Sequence, residues 1–124
     1  MKSNYLTTDL EIKHKGEMAE LIQAFEQKEI MFNYDELEDG IWLANISAPN
    51  SLGSPSECIL VFCKYISQFN GKAKDQWQNA IYKNFNIGFE VSNDHWGYES
   101  HVSNEAVKEA AKHNSGISIT LYPL

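Results

Sequence analysis

The chain has 124 residues, of which 43 % are hydrophobic and 12 % aromatic, and its formal net charge is −7. This length and apolar content exclude a disordered chain and predict a single domain over residues 1–124. The negative charge repels phosphate and the chain contains no arginine, so we expect no nucleic-acid partner.

The first segment alternates between apolar and polar residues, which is typical of a half-buried strand. Its predicted inward positions are Leu6, Thr8, Leu10, Ile12 and His14. After Gly16 the spacing becomes helical, with apolar positions at Met18, Leu21, Ile22 and Phe25. The N-terminal part therefore predicts a strand followed by a helix.

Two further alternating runs, 30–34 and 41–46, are separated by an acidic stretch that ends in the turn dipeptide Asp39-Gly40. This pattern predicts a β-hairpin. The charge is concentrated in this half of the chain, because residues 1–57 contain eleven acids and four lysines, a net of −7, whereas 58–124 contain six of each. The acids and aromatic residues at the hairpin form a candidate partner-binding patch: Tyr34, Asp35, Glu36, Glu38, Asp39 and Trp42.

Three interpretations of this acidic patch stay open. It is a recognition surface for a basic partner, a solvated turn, or a calcium loop. The calcium interpretation fits worst, because the ligand order of an EF-hand, with a central Gly and a distal Glu, is not met. We expect no bound metal and no cofactor.

The sharpest local signal is Ser54-Pro55-Ser56-Glu57. Ser54 can cap a helix, Pro55 suits its first position, and Glu57 can reach back to the Ser54 amide. We predict a helix from Pro55 to about Phe69. Within it, Cys58 and Cys63 would lie about 140° apart around the axis and could not pair, so they are expected to be small buried side chains.

The remaining elements complete a mixed order. A short helical piece is predicted at Trp77, Ala80 and Ile81, a strand at 87–91, a helix capped by Ser103 or Asn104, and a last strand at 117–121. The order β-α-β-β-α-(α)-β-α-β predicts an α+β fold with a single, mostly antiparallel sheet and helices packed on it. The nearest named topology is the ferredoxin-like split β-α-β arrangement.

The longest unbroken apolar run, Cys58–Cys63, is too short to span a bilayer. The N-terminal residues contain no apolar segment of the kind found in signal peptides. We therefore expect a cytoplasmic protein with no membrane partner.

A second candidate site follows the fourth predicted strand. The candidate partner-binding residues of this second site are Asp94, Trp96 and Tyr98. Zinc or acid–base chemistry is the alternative, through His95 and His101 with Asp94 or Glu99, although the spacing matches no recognised motif. The simplest interpretation is a turn whose aromatic side chains cover the sheet.

The C-terminal half resembles a family of small, uncharacterised bacterial α+β domains. The resemblance is carried by 86–91 (NIGFEV), 101–107 (HVSNEAV) and 116–123 (GISITLYP). It implies a strand, a capped helix and a closing strand, and no catalytic residues. In size, acidity and lack of active-site motifs, the whole chain is similar to bacterial immunity proteins, including those of contact-dependent inhibition systems.

That similarity implies a non-enzymatic immunity protein, which binds and neutralises a basic, nuclease-type toxin domain. A different class stays open: a small-molecule-binding or enzymatic α+β domain with its site near His95–His101. A third interpretation is self-association into a homodimer through a hydrophobic edge.

Overall fold

A computed structural model describes residues 2–28, 30, 32–49, 52–94 and 97–124. Within these ranges, strands and helices follow one another in the predicted order. The strands are β1 (Asn4–Lys15), β2 (Phe32–Glu38), β3 (Ile41–Ser47), β4 (Tyr82–Val91) and β5 (Gly116–Pro123). The helices are α1 (Ala19–Glu26), α2 (Pro55–Ser67), α3 (Gly71–Asn79) and α4 (Asn104–Lys112).

The strands form one sheet in the order β2-β3-β1-β4-β5. The pairs β2–β3, β3–β1 and β1–β4 are antiparallel, whereas β4 and β5 are parallel. The four strands β2-β3-β1-β4 have the ferredoxin-like arrangement, in which β3 lies between β1 and β2 of the first β-α-β unit. The helix α4 and the strand β5 extend this core by one parallel strand. The predicted α+β class is confirmed.

The helices pack on one face of the sheet and enclose the hydrophobic core. All four helices and the strands β1, β3 and β4 contribute to one cluster of buried residues. The strand residues in it are Leu10, Ile12, Ala44, Ile46, Phe85, Ile87 and Phe89. Large-to-small substitutions of such residues typically cost about 2–5 kcal/mol. The opposite face carries mainly polar side chains.

Local sequence explains where α2 begins. The Ser54 hydroxyl oxygen accepts a hydrogen bond from the Glu57 amide at 3.1 Å, as expected of a capping residue. The Glu57 carboxylate accepts from the Gly53 amide at 3.4 Å, and not from the Ser54 amide as predicted. The helix ends at Ser67, two residues before the predicted end. Among the alternatives for α4, Ser103 is the cap, since its Oγ accepts from the Ala106 amide at 3.1 Å.

Two further details of the sequence prediction are wrong. Leu6 does not face the core but is 41 % exposed. A β-bulge between Tyr5 and Thr7 shifts the register there, and the Tyr5 ring packs near Phe89 with centroids 5.9 Å apart. The second error concerns α3, which ends at Asn79 and leaves Ile81 outside the helix and 52 % exposed.

Both cysteines are free and buried, in agreement with the prediction. The Cys58 sulfur lies 3.1 Å from the Tyr5 hydroxyl, which lies 2.7 Å from the Thr8 hydroxyl. Burial raises the pKa of the Cys63 thiol to about 12. Both thiols therefore act as packing groups in this fold. None of the helices in the described part of the chain is long and apolar enough to cross a membrane.

Candidate functional site

The acidic residues lie mainly on a strand, not on a loop. β2 continues to Glu38, which pairs with Ile41 of β3, so that only Asp39 and Gly40 form the turn. Their φ values are +50° and +76°, as a tight two-residue hairpin turn requires. β2 has no neighbour on its outer side in the sheet order. We call Asp35, Glu36, Glu38 and Asp39 the acidic edge.

The acidic edge presents charge on both faces of the sheet. Glu36 pairs with Trp42, on the face that the helices cover, whereas Asp35 pairs with Leu43 on the opposite face. A bulge between Glu36 and Glu38 shifts the register by one residue, which places Glu38 with Ile41 on the same face as Asp35. A partner that contacts the strand edge therefore meets carboxylates on either side of it.

All four carboxylate residues of the acidic edge are exposed to solvent. In the part of the chain that the structure describes, none of them forms an ion pair. Their charges repel one another over short sequence distances, and cationic groups of a partner would relieve this repulsion. The chemistry of the edge is thus suited to lysine and arginine side chains.

Two aromatic residues fix the position of the acidic edge. The rings of Tyr34 and Trp42 pack with centroids 4.8 Å apart and an interplanar angle of 36°. The Tyr34 hydroxyl accepts a hydrogen bond from the backbone amide of Met18 at 2.7 Å, at the N-terminus of α1. β2 is therefore attached to the helix layer through Tyr34, and the predicted pair of aromatic residues supports the strand that carries the acids.

The structure adds two acids that sequence reasoning missed. Burial raises the pKa of Tyr34, and the carboxylates of Glu17 and Glu20 raise it further because they lie near the phenol. Glu20 also accepts a hydrogen bond from the Gln76 side chain at 3.1 Å. Their position beside Tyr34 follows from the contact between α1 and β2, for which the sequence offers no local signal. They extend the negative field of the acidic edge along the helix side.

The second predicted surface lies at the other end of the sheet. The hairpin turn of the acidic edge lies beside Lys15, at the end of β1. Asp94 follows the end of β4, and that end of β4 pairs with the start of β1. The nine residue steps from Tyr82 to Val91 along β4 span about 30 Å, which is roughly the length of sheet between the two surfaces. The structure does not bring the two predicted surfaces together. His95 and Trp96 lie outside the described residues.

Tyr98 lines an apolar groove of about 260 Å³. Its ring packs edge-on against Phe89, with centroids 5.7 Å apart. The groove lies between the segment 98–102 and the last two strands, and its lining residues are Ile87, Phe89, Tyr98, Ser100, Val102, Ile119 and Leu121. Among the described residues, no group of three or more His, Cys, Asp and Glu side chains could hold a metal ion. A ligand role for this segment stays a prediction.

A polar network on the open face of the sheet was also missed. The Asn84 amide donates to the Glu11 carboxylate and to the Ser118 hydroxyl, both at 3.0 Å. The Thr120 hydroxyl donates to the side-chain oxygen Oδ1 of Asn86 at 2.8 Å. These bonds connect β1, β4 and β5, so the network holds the added strand to the core. Alternating polar residues were visible in the sequence, but their partners depend on the strand order.

Asp9 lies on the same face of the central strand. Burial raises its pKa above the ordinary value of 3.8, and the neighbouring Glu11 carboxylate raises it further, whereas hydrogen bonds with the Ser47 and Thr7 side chains oppose the shift in part. Oδ1 of Asp9 and Oδ1 of Asn45 on β3 are buried and have no hydrogen-bond partner among the described residues. Asp9 therefore carries an electrostatic cost when it is ionised.

Comparison of the chain with protein-family models, with characterised proteins and with solved structures found no significant match.

Proposed function

We propose that this chain is a cytoplasmic, non-enzymatic immunity protein that binds and neutralises a basic, nuclease-type bacterial toxin domain through the acidic edge. The observation that carries the proposal is the arrangement of three exposed carboxylates on an edge strand, with a fourth, Asp39, in the adjoining turn; Tyr34 and Trp42 hold this strand in place. A basic surface is complementary to this arrangement in charge.

The mechanism of such an inhibitor is association, not chemistry. A localised negative field raises the rate of encounter with a positively charged partner by about 10- to 1,000-fold, most strongly at low ionic strength. The acids lie on a strand with a supported backbone, so little ordering is needed on binding and less free energy is lost. Tyr34 and Trp42 offer partly buried aromatic surface beside the charges, the residue types that most often anchor interfaces.

The shape of the site also favours a protein over a small molecule. Small-molecule sites are concave and enclose most of their ligand. The acidic edge instead projects from one side of the sheet and displays carboxylates on both faces. A partner with a basic cleft, as a nuclease has for its substrate, would receive such an edge.

The test uses a double charge reversal, Glu36→Lys with Glu38→Lys. Tagged wild-type protein captures its partner from the bacterial lysate, and the partner is then expressed with and without this chain. We expect wild type to suppress the partner's toxicity and the double variant to associate at least about tenfold more slowly at low salt, with a weaker salt dependence.

The matched control is Glu26→Lys with Glu105→Lys, which makes the same change in net charge at two exposed helix positions outside both candidate surfaces. The control should associate at nearly the wild-type rate. Equal rates for the two double variants would show that only net charge matters and would remove the acidic edge from the proposal. A partner that is not toxic, or whose toxicity persists in the presence of this chain, would contradict the immunity function itself.

A further inference from the structure

The other edge of the sheet has the opposite character. β5 pairs with β4 on one side and has no strand on the other. Its residues Ile117, Ile119 and Leu121 pair with Phe85, Ile87 and Phe89, so they lie on the face that the helices cover. They are nevertheless 38 %, 63 % and 60 % exposed, because the helix layer does not extend over β5.

Exposed edges of this kind are usually protected. Natural proteins place charges, prolines or bulges on edge strands, because unpaired backbone groups recruit further strands. β2 follows this rule through the acidic edge and its bulge. β5 does not, since residues 116–124 contain no charged side chain and Pro123 is the single proline, at the end of the strand. The apolar groove beside Tyr98 continues this uncovered surface inward.

We propose that β5 is a self-association surface, on which a second copy of this chain pairs its own β5 in antiparallel orientation. Such pairing would join two five-stranded sheets into one of ten strands related by a two-fold axis. The Ile117, Ile119 and Leu121 side chains of both copies would then form one apolar row, and the unpaired backbone groups of β5 would be satisfied.

The charge distribution identifies β5 as the surface on which a second copy is repelled least. The chain carries a net charge of −7, so two copies repel each other in most orientations. The β5 edge is uncharged, and the half of the chain that supplies it, 58–124, has six acids and six lysines and no net charge. The acidic edge lies four strand spacings away, about 19 Å across the sheet. The β5 edge is thus the surface on which two copies meet with little electrostatic penalty, and it leaves both acidic edges accessible.

The experiment is sedimentation velocity of the purified full chain over a wide range of concentrations. Wild type is expected to approach twice the monomer mass of 14.1 kDa as concentration rises. Ile119→Lys places one lysine on each of the two paired strands, so that two like charges would be buried at the interface without partners. The affinity of dimerisation should fall by at least about 100-fold. The control Ile81→Lys changes a side chain that is 52 % exposed on a loop outside this edge, and it should dimerise like wild type.

Two results would overturn the proposal. Wild type could stay monomeric at every concentration, or Ile81→Lys could disrupt the dimer as strongly as Ile119→Lys. If the wild type is monomeric, the Ile119→Lys variant could in addition lose the captured partner. The last result would assign β5 to that partner. Circular dichroism spectra of both variants would show whether each keeps the fold. The proposal does not depend on the immunity function, and either can fail without the other.

Discussion

The two edge strands of the sheet, β2 and β5, differ in charge and in how they are attached to the rest of the fold. β2 is short, bulged and acidic, and Tyr34 attaches it to α1. β5 is flanked by α4 but carries exposed apolar side chains and no charge. In the proposals above, the first edge would repel copies of this chain and attract a basic partner, whereas the second would pair with a copy. One protein can thus separate two interactions by placing charge on one edge only.

The largest difference between the edges is expected in monomer stability. Trp42→Ala removes a half-buried ring that packs on Tyr34, and we expect a loss of about 2–4 kcal/mol in the free energy of unfolding. Ile119→Ala trims a side chain that is mostly exposed in the monomer, and it should cost less than about 1 kcal/mol. Urea denaturation of dilute protein measures both. Equal losses would mean that β5 is already covered within the monomer.

A smaller effect is expected at the hydroxyl that connects β2 to α1. Tyr34→Phe leaves the Met18 amide without its hydrogen-bond acceptor, which should lower stability by about 1–2 kcal/mol. The matched control is Tyr122→Phe on β5, whose ring is half exposed. It should be close to neutral in dilute protein. A neutral Tyr34→Phe would show that this hydrogen bond does not hold the acidic edge.

The smallest effect concerns Asp9, in the central strand between the two edges. Burial raises its pKa in the folded state, so the native protein binds this proton more tightly than the unfolded chain. The stability that Asp9 contributes is full below its ordinary pKa of 3.8 and is lost as pH rises through the raised folded-state value.

Asp9→Asn removes this titration. We therefore expect the variant to be more stable than wild type at neutral pH, with the advantage disappearing in acid. Thermal unfolding across this pH range measures the difference. An advantage that is independent of pH would contradict the assignment to the buried carboxylate.

The fold was predictable where its signals are local. Ser54 and Pro55 define the start of α2, and Asp39-Gly40 defines the hairpin turn. Binary patterning then gave the element order, and that order together with the early hairpin was enough to indicate the ferredoxin-like core. Each of these features depends on residues within a few positions of one another.

The features that were missed depend on which strands are neighbours. The bulge at Tyr5 became visible only from its register with Phe89, and the position of Glu17 only from the contact between Met18 and Tyr34. The strand at Ile117, Ile119 and Leu121 was predicted, but its place at the edge was not. Exposure of these residues depends on how far the helix layer reaches, which no local pattern encodes.

The most direct test of the two-edge account is amide hydrogen exchange, measured on the chain alone and with the partner protein that it captures. We predict that the captured partner slows exchange in 32–38 and leaves 116–123 unchanged. Raising the concentration of the chain alone should slow exchange in 116–123 and leave 32–38 unchanged. The reverse pattern, or protection of both edges by the captured partner, would contradict the division of roles between them.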